Sequence, residues 1–245
     1  MHRVRLENVS KRFSRKEGAK LLTSWGFWRG DSTSPDWFSA LDNVDLTLAG
    51  SGDRLGIIGS NGSGKTTLLR IIAGVTNPSS GSVSIHGRVV PLLEPVAGMQ
   101  PDLTGRENIY LVGTILGMQR LETRRKLDAI IEFAAVEKFI DMPLKHFSLG
   151  MIMRLGFSVA LHAEAETVLL DEAWSIGDAE FKRKSLDRLR ELREKRVSVI
   201  LVSHELDIIE RETDHVLWLN RGKVAGFGPS GQIVSSYLRS LEAIS

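Results

Sequence analysis

The chain has 245 residues, enough to bury a large core, and its 42% apolar and 25% charged residues are the balance of an ordinary soluble globular protein. Its formal net charge of only +2 argues against a global basic field, and so against nucleic acid as a partner. With no cysteine, disulfides, thiolate metal sites and thiol catalysis are excluded.

The opening MHRVRLENVSKRF lacks the apolar core of a signal peptide. No uninterrupted apolar run reaches the roughly 18 residues needed to span a bilayer, so any membrane process would need another chain to do the spanning. VRLENV (4–9), LDNVDLTL (41–48) and RLGII (54–58) read as strands, the last running through a glycine-rich turn into a helix, KTTLLRIIAG (65–74). SVSIHGRVVPLLE (82–94) reads as further strand interrupted at Gly87. From about 103 to 163 the periodicity is helical, and Thr104 and Glu107 stand at capping-box spacing. TVLLDE (167–172) and VSVILVSH (197–204) read as buried strands around a charged helix, 181–195. From Lys223 a short strand and a closing helix are expected. The pattern predicts an α/β fold: a P-loop nucleotide-binding core with a mostly parallel sheet, an N-terminal antiparallel β segment and an inserted helical subdomain near 95–163, all in one domain.

GSNGSGKT (59–66) matches the P-loop pattern completely, between a strand and a helix. Gly59, Ser60, Asn61, Gly62, Ser63 and Gly64 form a turn whose amides converge on phosphates, together with those of Thr66 and Thr67 at the helix start. Lys65 reaches the β- and γ-phosphate oxygens, and the Thr66 hydroxyl suits Mg²⁺. A nucleoside triphosphate with Mg²⁺ is the expected ligand. Asp171 and Glu172 end a buried strand, where ligands collect in open α/β sheets. Asp171 is expected in the Mg²⁺ shell, with Glu172 orienting or deprotonating the attacking water. His204 ends another strand on the same expected rim, in reach of the γ-phosphate and that water.

P-loop, FSLGMIMR (147–154), LLDE, SIGD (175–178) and VSH, in that order, resemble the nucleotide-binding subunit of ATP-binding cassette (ABC) transporters over nearly the whole chain. The resemblance implies a head-to-tail homodimer in which Ser148 and Gly150 of one copy close over ATP held by the other. It also implies a D-loop carrying Ser175 and Asp178. The family's usual signature has glycine and glutamine where Leu149 and Met151 stand. The serine hydroxyl, the open glycine and the positive helix terminus are retained, so the chemistry survives the change. This variant wording, with LTGRENIYL and DEAWSIGDAEF, looks like that of the subgroup exporting O-antigen, capsule and teichoic acid.

The resemblance therefore implies an ATPase at the cytoplasmic face of the inner membrane. It would work with a separate transmembrane permease, in two copies, on a lipid-linked glycan. An ABC ATPase for a lipid, drug or small solute is the alternative. The family's Q-loop glutamine falls at Glu94, which would sit beside the metal, with Gln100 as the other candidate. Its adenine-stacking aromatic falls at Phe13, which reads equally as a strand-end core residue.

Residues 14–40 form a connection much longer than that family's. Leu21, Trp25 and Trp28 share one face of a short helix there, flanked by Arg15, Lys16, Lys20 and Arg29. The aromatic and basic mixture suits a membrane–water interface or a surface that meets an anionic, lipid-linked substrate, or else a helix packed on its own sheet. The resemblance to polysaccharide exporters, which have an insertion near the cytoplasmic entrance of the permease, implies a portal element. On helix 181–195, Lys182, Arg183 and Lys184 read as a solvated face, and Glu191 with Lys195 as an i, i+4 pair.

Overall fold

The computed structural model describes residues 2–14, 37–171 and 178–242. Val4–Ser14 (β1) and Trp37–Leu48 (β2) pair antiparallel. Ser80–Ile85 (β4) flanks β1 on its other side, making a three-stranded sheet ordered β2-β1-β4. Alternation buries Val4 and Leu6 while Arg5 and Glu7 face water. At Asn8 the chain takes φ 50, a left-handed conformation that asparagine tolerates, and the register slips by a bulge. That slip returns Val9, not residue 8, to the core face.

The second sheet is ordered β5-β6-β7-β3-β8-β9. Arg54–Ile58 (β3), Val89–Leu92 (β5), Thr167–Leu170 (β6), Ser198–Val202 (β7) and His215–Asn220 (β8) run parallel, and Lys223–Pro229 (β9) adds antiparallel to β8. Every residue of β3, β6 and β7 is buried, as expected where both faces are covered. The two-residue period splits these strands between two cores. Ile57 and Ile200 pack toward the small sheet and Lys65–Ile72 (α1), through Leu68 and Leu69. Ile58, Val199 and Leu201 pack toward Gly105–Ile115 (α2), Arg120–Ala134 (α3), Leu149–His162 (α4) and Ala179–Glu194 (α5). Leu206–Glu212 (α6) and Ser230–Glu242 (α7) complete the helices.

The α/β architecture matches the sequence reading, and Thr104 and Glu107 form the capping box at α2. Three particulars differ. Residues 82–94 are not one interrupted strand: β4 and β5 belong to different sheets, and Gly87, at φ 88, turns the chain between them. Strand β8 and helix α6 were not foreseen. Glu191 pairs with Arg188 at 2.5 Å rather than with Lys195, which caps the end of α5.

Helix α4 lies so close to residue 95 that a Cβ at Gly156 would collide with the Pro95 carbonyl. Backbone on both sides leaves no flexible group to yield. Gly156→Ala is therefore expected to destabilise the fold by about 1–3 kcal/mol through overpacking. A urea midpoint equal to wild type would show that the two segments separate freely.

Candidate nucleotide site

Strand β3 ends in the P-loop. Gly59 (φ 146) and Gly64 (φ 107) hold conformations that other residues resist, and a Cβ at either would strike the backbone, at Leu219 and Ala40 respectively. The loop is also tied from outside. Gly222, in the β8–β9 turn, donates its N–H to the Ser63 carbonyl at 3.0 Å and accepts from Asp42 N–H at 2.9 Å. Gly64 caps α1 without a side-chain acceptor, and the first turn carries no acidic residue. The amides there are thus left to an anion. Lys65 is 6% exposed and donates to the Gly59 and Ser60 carbonyls at 2.9 and 3.2 Å. Ser63 Oγ is buried without a partner among the described residues.

Register aligns the other groups with this loop. Ile57 lies opposite Val202 and Leu170 opposite Leu201, so β3, β6 and β7 end on one rim. Asp171 follows β6, and its Oδ2 accepts from the Thr66 hydroxyl at 2.9 Å. His204 is exposed just past β7. Glu172 and Ser175 lie outside the described residues, as do Trp25 and Trp28.

A groove of about 380 Å³ over the loop is lined by Phe38, Ala40, Asn61, Gly62, Gly64, Lys65, Thr66 and Thr67. Sequence reasoning missed Phe38. Its place follows from the contact of β2 with the P-loop, two elements distant in sequence. Phe13 is the cross-strand partner of Phe38 and does not line the groove; Lys11 Nζ sits 5.0 Å from its ring centroid. Glu94, expected beside the metal, instead pairs with Arg70 in the last turn of α1 at 3.0 Å. The Gln100 backbone is held from both sides by the Asn108 amide, at 2.8 and 3.0 Å.

Ser148 caps α4, its Oγ accepting from Met151 N–H at 3.2 Å, and Leu149 and Gly150 follow on the exposed first turn. Among the described residues, α4 contributes none to the groove over the P-loop. Asp178 caps α5, accepting from Phe181 N–H at 2.9 Å.

A P-loop with its lysine buried, a hydroxyl–carboxylate pair beside it and a histidine on the same rim define a nucleoside-triphosphate site. The model of the ABC transporter family matches residues 41–175. The chain belongs to the ABC transporter family, as one of its ATP-binding ATPase domains. It is 39% identical over 204 residues to the O-antigen export system ATP-binding protein RfbB of Klebsiella pneumoniae, covering 83% of this chain and 82% of that one. It is 36% identical over 241 residues to the teichoic acids export ATP-binding protein TagH of Lactococcus lactis subsp. lactis, covering 96% of this chain. The chain spans only 50% of the length of that relative, and 50% of an RfbB from Myxococcus xanthus. Among solved structures, a dimeric ATP-binding cassette in a post-hydrolysis state bound to ADP and Pi superposes with a TM-score of 0.73 at 22% identity, covering 93% of this chain and 98% of that one.

Proposed function

We propose that this chain hydrolyses ATP to power export of a lipid-linked polysaccharide through a separate permease, from the cytoplasmic face of the inner membrane. The observation carrying the cargo is the likeness to export proteins for two different polymers, O-antigen and teichoic acid. No helix among the described residues is long and apolar enough to cross a membrane, which is consistent with a division of labour.

The P-loop amides and Lys65 bind the β- and γ-phosphates, and Phe38 offers the base an aromatic wall on the same groove. Thr66 and Asp171 would hold Mg²⁺. Their oxygens are hard donors 2.9 Å apart, and two protein ligands are a small set. That sparse donor set suits a metal that keeps phosphate and water ligands. When bound, Mg²⁺ offsets phosphate charge. Glu172 orients or takes a proton from the attacking water, and His204 bonds the γ-phosphate. A second copy of the chain supplies Ser148 and Gly150, with Ser175 and Asp178 beside the shared site. Binding closes this head-to-tail homodimer and hydrolysis reopens it.

Tagged chain extracted in mild detergent from its own host is expected to bring down a small polytopic permease and lipid-linked glycan. Ribosomal or DNA-bound proteins in its place would overturn the export reading. Within that reading, the connection between β1 and β2, residues 15–36, serves as a portal at the permease entrance. The expected bounds of 14–40 narrow because Ser14 pairs with Trp37 and because Phe38 and Ala40 line the nucleotide groove. Replacing Trp25 and Trp28 together by alanine is expected to impair export severalfold while the isolated chain binds ATP as before. Undiminished export by that variant would remove the portal role.

A further inference from the structure

Helix α5 starts at Asp178, a few residues beyond Glu172 in the chain, and its first turn is held from two directions. On one side, Asp178 Oδ2 lies 3.8 Å from Arg154 Nη1 on α4, the helix that begins at Ser148. On the other, Lys182 Nζ donates to both carboxylate oxygens of Glu205, at 2.8 and 2.6 Å. Glu205 directly follows His204 and caps α6, and its own N–H donates to the buried Ser203 Oγ at 3.0 Å. The turn carrying His204 is thus fixed at Ser203 from within and at Glu205 from α5.

Lys182 differs here from its neighbour Lys184, which among the described residues reaches only Glu180 of its own helix, at 3.5 Å. A pair within one helix moves with that helix. A pair between elements fixes one against the other.

We propose that Lys182 is a positioning residue for ATP hydrolysis: through Glu205 it holds His204 in register with the first turn of α5. The proposal rests on the ATPase reading of the site. Lys182 and Glu205 keep 31% and 45% of their side-chain surface exposed, so the pair is worth little to the stability of the fold. Its effect on rate is not limited in that way, because a misplacement of about 1 Å at a reacting centre costs up to a hundredfold. Rate and stability therefore separate experimentally.

In the 245-residue chain, Lys182→Met is expected to lower the kcat of ATP hydrolysis by about tenfold, with KM for ATP changed less than about twofold and the urea midpoint nearly unmoved. Lys182→Arg keeps a cation at the same place and recovers most of the rate. Glu205→Gln lowers kcat in the same direction, and the double variant loses less than the product of the two single losses, because the two substitutions share the Lys182–Glu205 interaction. Lys184→Met serves as the control and hydrolyses ATP as wild type does. Wild-type kcat in Lys182→Met would overturn the proposal, and so would equal losses in Lys182→Met and Lys184→Met, or a loss that follows a fall in stability. Absence of any hydrolysis by wild-type chain is a different failure, and would remove the ATPase reading together with this one.

Discussion

Glu172→Gln is expected to lower ATP turnover by a factor of about 10²–10⁴, the range that a positioned general base contributes. Binding should survive, because the groups that hold the nucleotide lie elsewhere. Lys65 is buried inside the loop, the first-turn amides of α1 have no competing side chain, and Thr66 already engages Asp171 at 2.9 Å. Glutamine matches glutamate in size but cannot take a proton from water. A chain that binds and cannot hydrolyse should accumulate in the closed state, so the variant is expected to elute as an ATP-dependent dimer. Turnover is read by phosphate release, and association by size-exclusion chromatography with ATP and Mg²⁺. Turnover like that of wild type would take Glu172 out of the proposed chemistry. Lys65→Met provides the contrast: there binding and turnover are lost together.

Parts of this site were legible because their signals are local. The P-loop is eight contiguous residues between a strand and a helix, and Asp171 and His204 each end an apolar run. Phe38 was not legible. It depends on the pairing of β1 with β2, which sets Ser14 opposite Trp37 across a long intervening segment, and no periodicity reports such a register. Gly87 was legible as a break, but whether a break bends one strand or sends the chain to another sheet is decided by partners distant in sequence. The same holds for Lys182. Its place in a run of three basic residues suggested solvent, and its partner Glu205 comes from a different element.

Arg54 is the extreme case of this distance effect, and it supports the largest stability prediction. An arginine opening RLGII reads as the polar start of a strand, yet its side chain is 1% exposed. Nη1 lies 3.3 Å from the Glu212 carbonyl and 3.4 Å from its carboxylate, and Nη2 donates to the Leu189 carbonyl of α5. Burial pulls its pKa down, while the Glu212 carboxylate opposes that shift. Asp214 bonds the Arg54 backbone N–H at 3.1 Å and is itself paired with Arg193 at 2.6 Å. One guanidinium therefore joins the base of β3, the strand that feeds the P-loop, to α5 and to the end of α6.

Removing one partner of a buried pair costs about 3–5 kcal/mol, since the other charge and the freed carbonyls lose their donor. Arg190 still offers Glu212 a cation at 2.9 Å, which places the expected loss for Arg54→Met nearer 3 than 5 kcal/mol. It should appear as a lower urea midpoint with an unchanged slope. Arg54→Met combined with Glu212→Leu removes both charges and should recover part of the loss, because matched apolar groups tolerate burial better than an unpaired carboxylate. The recovery stays partial: the Leu189 carbonyl loses its guanidinium donor, and Arg190 keeps Asp187 at 3.2 Å but loses Glu212. A single variant within about 1 kcal/mol of wild type would mean that the pair is neutral and that packing alone holds β3 against α5.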